Sequence, residues 1–247
     1  MISPYKKNVI KLNPTDSICY IIDMCFKIEQ NNSIRGDKGF GLCFSNTFLN
    51  DGNFSSLMLE LEHVLSIHLN FCPYITDLRA LLCSAPNLKY ITIEDCPNIT
   101  DFRALEGFPN VTLCNLPNIT DVSYLTWAEN VTIENCLNIK DVSALAGVPN
   151  VTLNYLRKIT DVTALGGAEN VTIENCVNIT NFSALAGVLN VTLRFLPNIT
   201  DVSYLAGVKN LTLEYCANIT DVTALARVEN LTIKDCKGNN DVKRSMK

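Results

Sequence analysis

Cysteine and aspartate recur at regular spacing in this 247-residue chain, and both side chains could do chemistry. Thiolates bind soft metals or form disulfides, and a stacked row of carboxylates could bind calcium. Histidine offers little metal or acid–base chemistry, because the chain has only two, His63 and His68. The cysteine series comprises Cys72, Cys96, Cys136, Cys176, Cys216 and Cys236. The aspartate series comprises Asp77, Asp101, Asp121, Asp141, Asp161, Asp201, Asp221 and Asp241, with Asn181 at the remaining position.

Both series follow an internal repeat of 20 residues. The phrase Val-Thr-Leu or Val-Thr-Ile begins at residues 111, 131, 151, 171 and 191, and close variants begin at 91, 211 and 231. Ile67-His68-Leu69 lies 24 residues before the variant at 91, so nine units can be counted, the last incomplete. A repeat of this length predicts stacked supersecondary units that share one core.

The spacing of apolar residues in each unit predicts one short strand followed by tight turns. Val131 and Ile133 flank Thr132, so two side chains point inward and one outward. The later apolar positions of the same unit, such as Val142 and Leu145, are three residues apart. This spacing suits 3₁₀-like turns, in which side chains i and i+3 lie above one another. The apolar side chains of one unit cannot form a core alone, so stability must come from neighbouring units.

The repeat makes buried thiols the simplest prediction for the cysteine series. Stacked strands lie about 4.8 Å apart, which places alternate cysteines such as Cys96 and Cys136 about 10 Å apart. That exceeds the Cα separation of a disulfide. Only Cys216 and Cys236 are predicted on adjacent coils, and no bond between them is needed to explain the pair.

The aspartates precede the turn of each unit. In the segment 118–123, either Thr120 or Asp121 can accept a backbone N–H at the start of the next turn, as helix-capping residues do. Calcium binding is the alternative. Capping is favoured, because each aspartate lies beside N–H donors and the glycine-dense loops of calcium-binding repeats are absent.

The residues that follow the strands vary, whereas asparagine before each strand and threonine in its middle form a uniform face. The threonine row needs no ligand to explain it, because a β-branched residue suits a strand. The variable positions supply candidates for binding a protein partner, because aromatic and arginine side chains are enriched in protein interfaces. These candidates are Tyr155, Arg157, Arg194, Phe195 and Tyr215. The alternative is a scatter of exposed side chains without a partner.

The pattern Val-Thr-Leu-x-x-Cys/Leu-x-Asn-Ile-Thr-Asp-Val-Ser-Ala-Leu resembles leucine-rich repeats, especially the cysteine-containing type and the Ile-Thr-Asp-Ile type of bacterial internalins. It is most similar to the short repeats of marseillevirus-like large DNA viruses of amoebae. The resemblance covers residues 64 to 242. It implies a leucine-rich-repeat solenoid with short parallel β-strands on the concave face. The three-residue spacing adds 3₁₀ or turn returns to this fold class, and the N-terminal residues add an α-helical cap. The resemblance also implies binding rather than catalysis.

The N-terminal residues lack the period and are expected to cap the solenoid, because the end of a solenoid exposes its core. Pro14 to Glu29 predicts a helix, and Phe40, Leu42 and Phe44 alternate like a strand. The predicted divisions are an N-terminal cap region at 1–63, a solenoid at 64–242 and a polar tail at 243–247.

The composition narrows the function classes. With 20 Lys plus Arg against 25 Asp plus Glu, the net charge of -5 argues against nucleic-acid binding. No apolar run approaches the roughly 20 residues of a membrane helix, and no signal core follows Met1, so an intracellular or virion location is expected. No catalytic motif, metal spacing or cofactor motif is found. Two classes remain: a non-catalytic module that binds or scaffolds a protein partner, and a structural component assembled into a virus particle.

Overall fold

The computed structural model describes residues 9–12, 40–45, 49–60, 64–83 and 87–237. The helix predicted between Pro14 and Glu29, Asp241 and the tail at 243–247 lie outside these residues. The chain divides into two compact units, Met1–Ile119 and Thr120–Lys247.

The first unit contains five parallel strands, paired in chain order, and one α-helix among its described residues. The strands are β1 (Val9–Leu12), β2 (Phe40–Ser45), β3 (Val64–Asn70), β4 (Tyr90–Glu94) and β5 (Asn110–Cys114), and the helix is α1 (Asp51–Glu60). The 3₁₀ segments are Arg79–Cys83 and Arg103–Leu105. The predicted strand at Phe40, Leu42 and Phe44 is confirmed as β2, and all three side chains are buried.

Helix α1 begins after Asn50, whose side-chain oxygen accepts the Asn53 N–H at 3.0 Å, as a helix N-cap does. Phe54, Leu57 and Met58 form its buried face. Helix α1 was not predicted from the sequence, because Asp51-Gly52-Asn53 has the composition of a turn.

The second unit contains six parallel strands in its described part, and neighbouring strands pair in register with an offset of 20 residues. They are β6 (Asn130–Glu134), β7 (Asn150–Asn154), β8 (Asn170–Glu174), β9 (Asn190–Arg194), β10 (Asn210–Glu214) and β11 (Asn230–Lys234). The 3₁₀ segments are Ser123–Leu125, Ser143–Leu145, Thr163–Gly167, Ser183–Gly187, Ser203–Gly207 and Thr223–Arg227. The strand and 3₁₀ predictions are therefore confirmed, as are the inward positions of the unit 131–150.

The aspartate series starts the 3₁₀ segments, and the capping hypothesis is confirmed. In each case a side-chain oxygen accepts the backbone N–H two residues further on, at 2.7 to 3.0 Å. The acceptor–donor pairs are Asp77–Arg79, Asp101–Arg103, Asp121–Ser123, Asp141–Ser143, Asp161–Thr163, Asn181–Ser183, Asp201–Ser203 and Asp221–Thr223. Asp121, rather than Thr120, is thus the acceptor, and the amide oxygen of Asn181 replaces a carboxylate without loss of the bond.

The six members of the cysteine series are buried thiols, as predicted. The Cys176 Sγ donates to the Leu153 carbonyl oxygen at 3.8 Å, and burial raises the pKa of this thiol to about 11. One expectation was wrong: Cys216 and Cys236 are not the sole pair on adjacent coils. Cys72 and Cys96 follow the paired strands β3 and β4, and a hydrogen bond between the two thiols raises the pKa of Cys96. The 24-residue unit between these strands hid this pair from a count in steps of 20.

Candidate protein-binding surface

One residue immediately after each repeat strand has a left-handed backbone conformation, with φ between 50° and 56°. These residues are Phe71, Asp95, Asn115, Asn135, Tyr155, Asn175, Phe195, Tyr215 and Asp235. Asparagine and aspartate tolerate this conformation, whereas bulky side chains rarely adopt it. We call the positions 135, 155, 175, 195, 215 and 235, which belong to the second unit, the left-handed row. Its backbone N–H groups continue the ladder between coils, as in the 3.0 Å bond from Phe195 to the Glu214 carbonyl.

Three aromatic side chains of the left-handed row are exposed. Tyr155 is 41%, Phe195 42% and Tyr215 39% exposed. The Phe195 and Tyr215 rings stack, with centroids 4.6 Å apart and an interplanar angle of 2°. The Lys234 Nζ lies 5.3 Å from the Tyr215 ring centroid, and a hydrogen bond to Tyr215 raises the pKa of Lys234. The two rings and the lysine therefore form an ordered apolar platform with a cationic end.

A row of alternating charge lies one residue before the left-handed row, at the last position of strands β8 to β11. The Arg194 Nη1 lies 2.6 Å from the Glu174 Oε1, and its Nε lies 2.8 Å from the Glu214 Oε2. The hydrogen bond to Glu174 raises the pKa of Arg194, and Glu214 acts in the same direction. Arg194 is thus held between two carboxylates beside the platform.

The structure brings together three of the five candidate residues, Arg194, Phe195 and Tyr215, at the ends of the adjacent strands β9 and β10. Tyr155 occupies the same row two coils earlier, about 10 Å from Phe195 by strand spacing. Arg157 is exposed on the turn after the buried Leu156, and its carbonyl oxygen accepts a bond from the Asn178 side chain at 2.5 Å. Arg157 therefore belongs to a different row from Arg194.

Three residues of this surface, Glu174, Glu214 and Lys234, lie at the variable positions after the strands but were not among the binding candidates predicted from the sequence. Their charges alternate with Arg194 at intervals of 20 residues, and a comparison of positions i and i+20 would have found them. The left-handed conformation had a weaker signal, because asparagine or aspartate occupies that position in some units and an aromatic residue in others.

Asparagine ladders hold the coils of this unit at a fixed spacing. At the first position of each strand, Asn190 Nδ2 donates to the Asn170 Oδ1 at 2.5 Å, and Asn230 Nδ2 donates to the Asn210 Oδ1 at 2.5 Å. In the turns, Asn198 Nδ2 donates to the Val177 carbonyl at 2.6 Å. The uniform asparagine face predicted from the sequence is thus already engaged in bonds within the protein.

Among the residues described in the two units, no group of three or more His, Cys, Asp or Glu side chains is placed to hold a metal ion. Across the same residues, no helix is both long and apolar enough to cross a membrane.

Neither a family model nor a curated protein matches the sequence. Among solved structures, the functional domain of InlJ from Listeria monocytogenes, described as including a cysteine ladder, is similar at 15% identity and a TM-score of 0.38. The similarity covers 79% of this chain and 54% of that one, so the chain spans about half of the Listeria domain. A leucine-rich-repeat protein of Leptospira interrogans is similar at 10% identity and a TM-score of 0.21, with 87% of this chain and 89% of that one covered.

The architecture is identified by the geometry of the chain itself. Short parallel strands in register, 3₁₀ returns, an asparagine ladder and inward aliphatic and cysteine side chains recur every 20 residues. Stacked units of this kind bury a core that no single unit could form. The protein therefore has the leucine-rich-repeat fold.

Proposed function

We propose that the protein is a non-catalytic recognition or scaffold module that binds a protein partner. The binding surface is formed by Tyr155, Phe195 and Tyr215 of the left-handed row, with Arg194 beside them. Arg157 extends it onto the neighbouring turn. No cofactor is required for this function.

The observation that carries the proposal is the presence of aromatic side chains where the backbone disfavours them. A left-handed conformation costs roughly 1–2 kcal/mol for an ordinary residue. Asn135 and Asn175 show that other units meet the same geometry with a better-suited residue. Strain of this kind concentrates at functional sites, and exposed aromatic side chains supply much of the energy of protein interfaces.

The fixed positions of the side chains on this surface support the same function. The Phe195–Tyr215 stack and the two ion pairs of Arg194 fix these side chains before a partner arrives. Binding then loses less side-chain conformational entropy than it would on a surface of mobile residues.

The test is a triple variant, Tyr155→Asn, Phe195→Asn and Tyr215→Asn, which removes the aromatic rings and keeps residues suited to the left-handed backbone. We expect it to fold and to lose the partner captured by the wild-type chain, as measured by quantitative affinity purification. Trp127→Ala is the matched control, since Trp127 is 76% exposed and follows a 3₁₀ segment. If the triple variant captures the same partner in the same amount, the proposal is wrong.

A structural building block, such as a minor virion component, is the second candidate. It is favoured by the uniform row of outward threonines, which suits repetitive packing better than recognition of one partner. Stoichiometric co-purification with particles would support this candidate, whereas co-purification with one soluble protein would support the first.

A further inference from the structure

Three side chains on adjacent strands of the first unit meet on the face of the sheet opposite the aliphatic core. Cys43 on β2 lies in register with His68 on β3, and Glu94 on β4 lies in register with Asn70, two residues beyond His68. The three residues are far apart in sequence, and only the stacking of β2, β3 and β4 brings them together.

The hydrogen-bond geometry orders the three groups in a line. The Cys43 Sγ lies 3.6 Å from the His68 Nδ1, and the His68 Nε2 lies 3.3 Å from the Glu94 Oε2. The Ser45 Oγ lies 3.5 Å from the same sulfur. His68 and Glu94 are 33% and 32% exposed in their side chains, whereas Cys43 is 7% exposed.

This order gives each group a chemical role. The Glu94 carboxylate accepts the Nε2–H of His68 and so favours the tautomer whose Nδ1 can accept a proton. That nitrogen faces the Cys43 thiol. The hydrogen bond to Cys43 raises the pKa of His68 and the Glu94 contact adds to it, although partial burial of the imidazole acts in the opposite direction.

We propose that Cys43, His68 and Glu94 form a reactive-thiol site that is covalently modified by small, uncharged electrophiles. The His68 Nδ1 takes the proton from the Cys43 Sγ. The thiolate sulfur then forms a bond to the electrophilic carbon, and the leaving group departs with the electron pair of the broken bond. The imidazolium returns its proton to solvent. Glu94 is the positioning residue, because it acts through His68.

The low exposure of Cys43 restricts the size of the electrophile that can reach its sulfur. A thiol that is 7% exposed admits a small molecule and excludes a bulky one. The absence of charge avoids both repulsion from Glu94 and the cost of moving an ion into a partly buried site.

Two core cysteines, Cys96 and Cys216, have the opposite environment, and the pKa of each is raised by a hydrogen bond with a neighbouring thiol. Cys96 donates to the Glu94 carbonyl oxygen at 3.2 Å, and Cys216 donates to the Glu214 carbonyl oxygen at 3.4 Å. A thiol that donates its proton to a carbonyl has no base to remove it, and buried structural cysteines of this kind are inert. Reactivity is therefore expected to differ strongly between Cys43 and these two core cysteines.

The test is competitive alkylation of the folded, full-length chain by iodoacetamide, with each cysteine quantified by mass spectrometry. Cys114 is the internal reference, because it is more exposed than Cys43. At neutral pH we expect Cys43 to react about tenfold faster than Cys114 in spite of its burial. In His68→Gln the rate at Cys43 should fall below that at Cys114, and Cys114 should keep its own rate. The proposal is overturned if Cys43 is no faster than Cys114, or if His68→Gln leaves the Cys43 rate unchanged.

The role of Glu94 is tested by Glu94→Gln, with Glu134→Gln as the matched control at the equivalent repeat position. Among the residues that the structure describes, the titratable groups placed on the His68 ring are Cys43 from β2 and Glu94 from β4, and Tyr90 lies one pair further along β4, in register with Ser66. We expect Glu94→Gln to shift the pH profile of Cys43 alkylation to higher pH and Glu134→Gln to leave it unchanged. An unshifted profile in Glu94→Gln, with the melting temperature retained, would remove Glu94 from the site. A bulky maleimide should modify Cys43 slowly in the wild-type chain, and rapid modification would contradict the restriction to small reagents.

Discussion

At the scale of single residues, some positions of the left-handed row hold residues that suit the backbone, and others hold residues that suit binding. Asn135 and Asn175 satisfy the backbone there with little strain, whereas Tyr155, Phe195 and Tyr215 expose aromatic rings in the same conformation. Stacking of the Phe195 and Tyr215 rings offsets part of the strain energy of this backbone conformation.

Tyr155→Asn should maintain or raise the free energy of unfolding, by up to about 1 kcal/mol, because asparagine suits a positive φ better than tyrosine. The measurement is urea unfolding followed by circular dichroism. Asn175→Tyr is the reciprocal control and should lower stability by a similar amount. A clear loss of stability in Tyr155→Asn would mean that the tyrosine ring contributes to packing rather than to recognition.

At the scale of the elements, each strand divides its side chains between the core and the outer face. Leu193 on β9 is buried between coils, and Thr192 lies on the outer face beside the threonines of β8 and β10. Because neighbouring strands are offset by 20 residues, each inward side chain packs against the equivalent side chains of the coils on both sides. One polar side chain at an inward position therefore disturbs both neighbouring coils.

Leu193→Asp should unfold the second unit or lower its stability by more than about 4 kcal/mol, because an unpaired charge would be buried in the core. The same substitution at Leu153 should have the same effect, since Leu153 is equally buried. Thr192→Asp is the control on the outer face, and it should cost less than about 1 kcal/mol. Thermal unfolding measures all three variants. An unchanged melting temperature in Leu193→Asp would refute the register.

At the scale of the whole molecule, the aspartates of the repeated turns make the stability of the fold depend on pH. The backbone N–H of Ser143 holds the pKa of Asp141 below its usual range, and that of Ser203 does the same for Asp201. The Arg103 side chain lowers the pKa of Asp101 to about 2. These carboxylates are stabilising while ionised. Their contribution is complete above the unfolded pKa of about 3.9 and is lost as pH falls through the lower folded values.

We therefore expect the melting temperature to fall between pH 4 and pH 2, by a small increment from each of the turns that contain Asp101, Asp141 and Asp201. The double variant Asp141→Asn, Asp201→Asn keeps an oxygen acceptor, as Asn181 does in its turn, but cannot titrate. Its melting temperature should fall less steeply over the same pH range. Equal slopes for the variant and the wild-type chain would mean that these carboxylates do not couple folding to pH.

The sequence by itself determined the structure of the single coil, which is one short strand followed by a 3₁₀ turn. The alternation around Thr132 and the three-residue steps to Leu145 define inward and outward positions that hold in the structure, because periodicity records burial directly. The capping role of the aspartates was also predictable, since Asp121 can reach an N–H only two residues away.

Only the tertiary structure decided which outward side chains meet. Contacts such as those of Arg194 with Glu174 and Glu214 join residues one repeat apart, and the Cys43–His68–Glu94 line joins strands of unequal spacing. The count of only two histidines gave no hint of this line. A pattern within one coil reports burial, but contacts between coils depend on register, and the positive φ of Tyr155 or Phe195 depends on how each strand ends.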